Sequence, residues 1–210
     1  MGSEKFKWYA LKLSLICVFI FLLGYSFPEV IFNNFVLVSS EVFTRPWGLV
    51  TYIFLHAGPE HLFFNLFALV LFGSILEKII GYKKFLIVFF SAGIVSGIAT
   101  VFFYNSTVGA SGAIMGILGF LGAIRPKMIV PAMGIILPMV VAIALWAALD
   151  IIGIFSADHV AHWGHLGGLF FGIIVGLKLR GKYKIVKKKE EKVKISNEEF
   201  EEWERKYMQH

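Results

Sequence analysis

The chain has 210 residues, of which 58% are hydrophobic and 16% charged, and its formal net charge is +6 at pH 7. Soluble domains are roughly 45–50% apolar and about 25% charged, so this composition excludes an ordinary soluble domain and a disordered chain. The single cysteine, Cys17, excludes a scaffold held together by internal disulfides. The sequence therefore predicts an all-α, polytopic membrane protein.

Six apolar stretches are candidates for membrane-spanning helices. Such a helix needs about 20 mostly apolar residues, because the hydrocarbon core is about 30 Å thick and a helix rises about 1.5 Å per residue. The predicted spans are Ala10–Phe27, His61–Ile80, Lys84–Tyr104, Ser111–Ile124, Met128–Asp150 and His162–Leu179. They define a six-helix membrane domain over residues 10–180, between an N-terminal segment (1–9) and a charged tail (181–210).

The basic residues predict how these spans are oriented. Cytoplasmic loops are enriched in Lys and Arg, and with the N-terminus inside, every basic residue except Arg45 falls in a cytoplasmic segment. We therefore expect a cell-membrane protein with both termini in the cytoplasm. The run Lys187–Lys189 should lie at anionic headgroups, so the positive charge indicates topology and not nucleic-acid binding. Further on, Ser196 and Glu199 have the spacing of a capping box, which predicts a short polar helix.

Polar side chains inside the predicted spans are costly and therefore indicate function. His61 and Asn65 open the second span at positions i and i+4, on one helical face. Ser111 opens the fourth span, and His165 lies near the start of the sixth. Counted back from the cytoplasmic end of each span, Ser111, His165 and Asn65 all lie about 20 Å above the inner boundary. A hydroxyl, an imidazole and an amide at one depth predict a shared site.

Glycines at every fourth position predict that the fourth and sixth spans pack closely. These glycines are Gly112 and Gly116 in the fourth span and Gly164, Gly168, Gly172 and Gly176 in the sixth. Small residues at this spacing let membrane helices meet backbone to backbone. Generic packing explains such stripes on their own. Because Ser111 and His165 lie on the same two helices, the stripes also predict that the serine meets the histidine.

A serine beside an imidazole can carry out nucleophilic acyl transfer, because the imidazole removes the hydroxyl proton. The tetrahedral intermediate also needs donors aimed at its oxyanion. The backbone N–H of Ser111, at a helix N-terminus, and the side chains of His61 and Asn65 are the candidates. No triad carboxylate is evident in the sequence motifs. Asp150 and Asp158 lie nearby in the predicted topology, but a Ser–His dyad is the favoured arrangement.

Three motifs at these positions resemble the rhomboid family of intramembrane serine proteases. They are WGLVTYIFLHAGPEHLFFN over Trp47–Asn65, GASG over Gly109–Gly112 and HLGGLFFG over His165–Gly172. The resemblance covers roughly residues 40 to 180. It implies a six-helix bundle and an endopeptidase without a cofactor, whose partners are transmembrane protein substrates cut near the outer leaflet.

The resemblance also implies a role for individual residues. It gives Ser111 as nucleophile, His165 as general base, and His61 and Asn65 as the oxyanion-stabilising pair. His56, Gly109 and Gly112 match supporting residues of the family, and Met115 occupies a fourth supporting position. Met115 departs from the pattern, since many members carry there an aromatic residue stacked on the catalytic histidine. A thioether–ring contact is the corresponding expectation here.

Two other functions are alternatives. His159, His162 and His165 are spaced by three, and imidazole binds zinc, so a histidine-rich metal transporter is one of them. The sequence has no HExxH motif and no evident membrane-embedded carboxylate partner, so we expect no metal, and His159 and His162 are interpreted as interfacial histidines. The other alternative is an inactive rhomboid-like protein that only binds membrane clients, which the intact dyad disfavours.

Overall fold

A computed structural model describes residues 6–183 and 196–208, and these are mostly helical. The helices are α1 (Tyr9–Ser26), α2 (Pro28–Phe35), α3 (Gly48–Thr51), α4 (Pro59–Ala68), α5 (Ser74–Ile80), α6 (Tyr82–Val101), α7 (Ser111–Ile124), α8 (Met139–Gly153), α9 (His162–Leu179) and α10 (Asn197–Tyr207). Short 3₁₀ segments cover Ser39–Glu41, Tyr52–Phe54 and Arg180–Tyr183. Two antiparallel strand pairs complete the fold: β1 (Leu37–Val38) with β2 (Ser106–Thr107), and β3 (Ile129–Ala132) with β4 (Ile135–Pro138).

The predicted class is confirmed, because the chain is an all-α, polytopic membrane protein. In the part of the chain that the structure describes, three helical stretches are long and apolar enough to cross a membrane: Tyr9–Ser26, Pro59–Ile80 and Tyr82–Val101. The second of these joins α4 to α5 through a π-helical turn, Leu69–Gly73. α7 and α8 are shorter apolar helices.

The fifth helix is shorter than the sequence predicts. Instead of covering Met128–Asp150, α8 begins at Met139, directly after Pro138. The residues before it form the β3–β4 hairpin, whose turn residues Met133 and Gly134 have φ angles of 53° and 79°. Two consecutive positive φ angles are typical of the type I′ turn that joins tight hairpins. An apolar run does not distinguish a buried strand from a helix, and this explains the wrong boundary.

α7 is the central helix of the bundle, and every residue from Gly112 to Ile124 is buried. It packs against α6 and α9. A Cβ on Gly168 would overlap the carbonyl oxygen of Gly112, and a Cβ on Gly172 would overlap that of Gly116. The predicted backbone-to-backbone contact is therefore confirmed. It brings the first turns of α7 and α9 together.

Two helix N-termini have clear side-chain partners. The carboxylate of Glu77, which is fully buried, accepts hydrogen bonds from the backbone N–H groups of Lys7 and Ala10, at 2.9 and 3.2 Å. This contact ties the start of α1 to α5. The predicted capping box of α10 is confirmed, since Ser196 and Glu199 exchange side chain–backbone hydrogen bonds. The basic run Lys187–Lys189 lies outside the described residues.

Candidate active site

Ser111 is the first residue of α7, where the chain leaves a loop held in place by Gly109. The N–H of Gly109 donates to the carbonyl oxygen of Tyr52 at 2.9 Å. Gly109 has a φ of 121°, which L side chains rarely adopt, and a Cβ there would lie only 2.7 Å from the His61 ring. Glycine thus lets the loop bend and lets His61 approach the start of α7. The hydroxyl of Ser111 lies where the unpaired N–H groups of the helix end are concentrated.

His165 lies in the first turn of α9 and faces Ser111. Its Nε2 is 2.7 Å from the Ser111 Oγ, a hydrogen-bonding distance. The histidine side chain is 17% exposed. The two residues expected to form a dyad are therefore in contact in the structure. The geometry matches that required of a serine activated by a neighbouring base.

The other ring nitrogen of His165 contacts a carboxylate near the end of α8. Nδ1 of His165 lies 2.9 Å from Oδ1 of Asp150, whose side chain is 9% exposed. The same Oδ1 is 2.7 Å from Nδ1 of His162. The expectation that His162 is an interfacial histidine is wrong, because this residue is buried and paired with Asp150. The expectation that no embedded carboxylate is available is also wrong.

The α8–α9 loop supplies a second carboxylate to this cluster. One oxygen of Asp158 lies 3.1 Å from Nε2 of His162. Asp158 is exposed, and its pKa is lowered to about 2 by hydrogen bonds from the Ser156 hydroxyl and the Val160 N–H, with a smaller effect from His162. Asp158 is therefore a carboxylate at neutral pH. His159, the third histidine of the spaced set, is exposed and outside the cluster.

The expected oxyanion pair lies on α4, beside the loop that leads to Ser111. The ring of His61 approaches Gly109 closely, as described above. The amide nitrogen of Asn65 donates to the carbonyl oxygen of His61 at 2.8 Å, within the same helix. The Asn65 Oδ1 is buried and has no hydrogen-bond partner in the described part of the chain. Hydrogen bonds of a catalytic site are often completed only when substrate binds.

The other supporting residues have distinct surroundings. His56 is 2% exposed, and its ring meets that of His61 edge-on, with 5.1 Å between centroids and 64° between planes. Burial, followed by the charge of His61, lowers the pKa of His56 to about 4, so this loop residue is neutral at pH 7. Gly112 serves packing, because a Cβ there would overlap the Ser96 hydroxyl. Met115 is buried one turn below Ser111.

A mostly apolar cavity of about 570 Å³ opens at the serine. It is lined by α4, the π-helical turn, α7, α8 and β3 with the turn that follows it, together with His165 of α9. Residues that line it include Asn65, Ser111, Met115, Trp146 and Met133. The contribution of the hairpin was not predicted, because residues 128–138 were expected to be part of the fifth helix. A cavity of this size beside a polar cluster is typical of a binding site for a reacting group.

Among the described residues, Asp150, His162 and His165 form a group that could hold a metal ion. One ligand atom from each lies within 4.8 Å of the others. The spacing of His162 and His165 in the sequence indicated the two histidines of this group. Asp150 closes a predicted apolar span, and an ionisable residue at such a position indicates a functional site. The sequence does not show which histidine Asp150 contacts, because this depends on the rotation of α8 about its axis.

Ser111 and His165 are thus in contact inside a bundle of apolar helices. This places the chain in the class of polytopic membrane proteins with a serine-hydrolase-like site. Comparison with known proteins makes this more specific. The Rhomboid domain profile matches residues 44–182. The chain belongs to the rhomboid family.

Several known proteins are similar to this chain. It is 34% identical over 141 residues to Rhomboid protease GluP of Bacillus subtilis, covering 65% of this chain and 27% of that protein. It is 43% identical over 76 residues to Putative rhomboid protease YdcA of the same species, covering 35% of this chain and 38% of that protein. The human Presenilin-associated rhomboid-like protein, mitochondrial, is 34% identical over 148 residues, which cover 64% of this chain and 38% of that protein. The matched region is thus less than half of each relative.

Proposed function

We propose that this protein is an intramembrane serine endopeptidase, in which Ser111 is the nucleophile and His165 the general base. The observation that carries the proposal is the 2.7 Å contact between the Ser111 Oγ and the His165 Nε2 at the edge of an apolar cavity. The rhomboid family includes serine proteases, and named protease relatives match this chain. His61 and Asn65 are proposed as the oxyanion-stabilising pair.

The proposed chemistry is acyl transfer to Ser111. His165 takes the hydroxyl proton as the serine oxygen attacks the scissile carbonyl carbon, and then gives that proton to the leaving amine as the C–N bond breaks. The acyl-enzyme ester is then hydrolysed by water, with His165 again acting as base. The negative charge on the carbonyl oxygen of each intermediate is stabilised by the Ser111 N–H and the α4 side chains.

The substrate class follows from the location of the site. The rhomboid family acts on transmembrane substrates. The cavity is bounded by apolar side chains such as Phe64, Phe67 and Leu149, which suit an apolar peptide segment. With both termini cytoplasmic in a cell membrane, as the basic residues predict, the site faces the outer leaflet. A helical substrate segment would have to unwind locally to present its carbonyl to Ser111.

A metal-dependent function is the second candidate, and the Asp150–His162–His165 cluster is the observation that favours it. Against it, the His165 Nε2 faces Ser111, a pairing that a metal site does not require. The two functions differ in their response to chelators. We expect proteolysis to be unchanged by EDTA after extensive dialysis, and loss of activity that added zinc restores would favour the metal site.

The experiment that tests the proposal uses the full chain, purified in detergent, with a reporter protein that carries a single transmembrane segment. We expect cleavage by the wild type and none by Ser111→Ala. The matched control is Ser106→Ala, an exposed serine in β2, which should retain wild-type turnover. Substantial cleavage by Ser111→Ala would refute the serine mechanism. A wild type that binds the reporter without cutting it would favour the inactive, client-binding alternative.

A further inference from the structure

We propose that Asp150 is a positioning residue for this reaction and that it holds the His165 ring with Nδ1–H directed at its carboxylate and Nε2 directed at Ser111. The inference rests on the proposed function, since it assigns a third member to the same site. It replaces the Ser–His dyad favoured by the sequence with a Ser–His–Asp arrangement.

The first observation is the geometry on both sides of the His165 ring. Nδ1 lies 2.9 Å from the Asp150 Oδ1, and Nε2 lies 2.7 Å from the Ser111 Oγ. A carboxylate only accepts hydrogen bonds, so Nδ1 must carry the hydrogen in this contact. In the neutral ring Nε2 is then the acceptor, which is the tautomer that can remove the serine proton.

The second observation is that the Asp150 carboxylate is itself fixed in position. His162 donates to the same Oδ1 at 2.7 Å. The His162 ring packs directly against Gly153, and a Cβ at this position would overlap the ring. Asp158 contacts the far side of the His162 ring at 3.1 Å. Asp150 therefore has one well-defined position, which a residue that orients another must have.

The third observation is that Met115 stands where many members of the family have an aromatic ring stacked on the histidine. Position 115, one turn after the serine, is Met115, a flexible side chain without a flat face. Among the described residues, the aromatic ring paired with His165 is that of His162, at 6.2 Å between centroids and nearly perpendicular. A stacked ring does not fix the plane of His165 in this structure. The hydrogen bond to Asp150 fixes both the plane and the tautomer.

Asp150→Asn tests this role, because it keeps the shape of the side chain and removes the charge. In soluble serine proteases the corresponding change lowers kcat by about 10⁴-fold, since the histidine is held in the wrong tautomer. We expect kcat for the transmembrane reporter to fall by about 10²-fold or more, with KM within about twofold of wild type and an unchanged unfolding temperature. The matched control is Glu29→Gln, which removes an exposed carboxylate of α2 that lies outside the cluster and should retain wild-type kcat.

A spectroscopic measurement covers the case in which Asp150→Asn fails to fold. In protein labelled with ¹⁵N-histidine, each of the two Nδ1–H groups bonded to Asp150 should give a slowly exchanging, low-field proton resonance. We expect one of these resonances to be lost in His165→Ala and the other in His162→Ala. Absence of a low-field signal assigned to His165 in the wild type would overturn the proposal.

The outcomes separate this inference from the proposed function. Wild-type kcat in Asp150→Asn overturns the positioning role and leaves the serine mechanism standing. A loss of activity accompanied by a lower unfolding temperature and a raised KM would also overturn the positioning role, because it indicates that Asp150 is only structural. A wild type that does not cleave the reporter refutes the proposed function, whatever the spectrum of His165 shows.

Discussion

Gly168 is the position where a single methyl group should most directly separate the serine from the histidine. It lies one turn after His165 on α9, and its Cα faces the backbone of α7. A Cβ there would overlap the carbonyl oxygen of Gly112, the residue that follows Ser111. Backbone cannot rotate away as a flexible side chain can, so Gly168→Ala must push the two helices apart.

The size of the effect follows from the displacement. Relieving the overlap needs a shift on the order of 1 Å, and a misplacement of about 1 Å at a reacting pair can cost about 10²-fold in rate. Overpacking of this kind typically lowers the free energy of unfolding by about 1–3 kcal/mol. We therefore expect a fall in kcat of about 10²-fold together with a lower unfolding temperature.

The assay is turnover of the transmembrane reporter, with thermal unfolding followed in the same detergent. Gly181→Ala is the matched control, because a Cβ at Gly181 has no atom within 4 Å, and it should behave like wild type. If Gly168→Ala retains wild-type turnover and unfolding temperature, the backbone contact does not set the distance between Ser111 and His165, and this part of the reasoning is refuted.

Three further predictions concern the histidines and Asn65. His165→Ala should eliminate both cleavage and covalent labelling of the serine, whereas His162→Ala should lower turnover far less, because it keeps the base and removes only one of the contacts that hold Asp150; reversed phenotypes would mean that the base has been misassigned. Asn65→Ala and His61→Ala should each lower turnover by about 10²–10³-fold, as loss of one oxyanion donor does, and wild-type turnover in both would make the pair structural. The folded state holds the pKa of His56 near 4, below its usual value of about 6.5, so the unfolded state binds more protons between these values. The unfolding temperature should therefore fall as pH drops from about 6.5 to 4, and less so in His56→Phe, an expectation contradicted if both proteins respond equally.

Much of the helical framework could be predicted from the sequence, because apolar length and glycine spacing are local properties. The start of α7 at Ser111 and the contact of Gly168 with Gly112 both follow from such patterns. The hairpin before Met139 could not be predicted in the same way. Its residues are as apolar as a helix, and the signals against a helix were Pro131 within β3, the Met–Gly pair at the turn and Pro138 at the end.

The polar cluster was predicted less completely than the helices. Depth counting places Ser111 and His165 at one level, which is enough to predict that they meet. It does not tell which way Asp150 points, since the rotation of α8 is set by packing against its neighbours. Depth alone also failed for His162, which is nearer the helix end yet buried, because Asp150 and the α8–α9 loop cover it.

Covalent labelling tests directly whether Ser111 is an activated nucleophile. The purified protein is treated with a fluorophosphonate, which reacts with activated serines, and the modified residue is mapped by mass spectrometry. We expect a single adduct on Ser111, which is present in the wild type and in Ser106→Ala and absent in His165→Ala. An adduct on another serine, or equal labelling of Ser111 when His165 is removed, would contradict it.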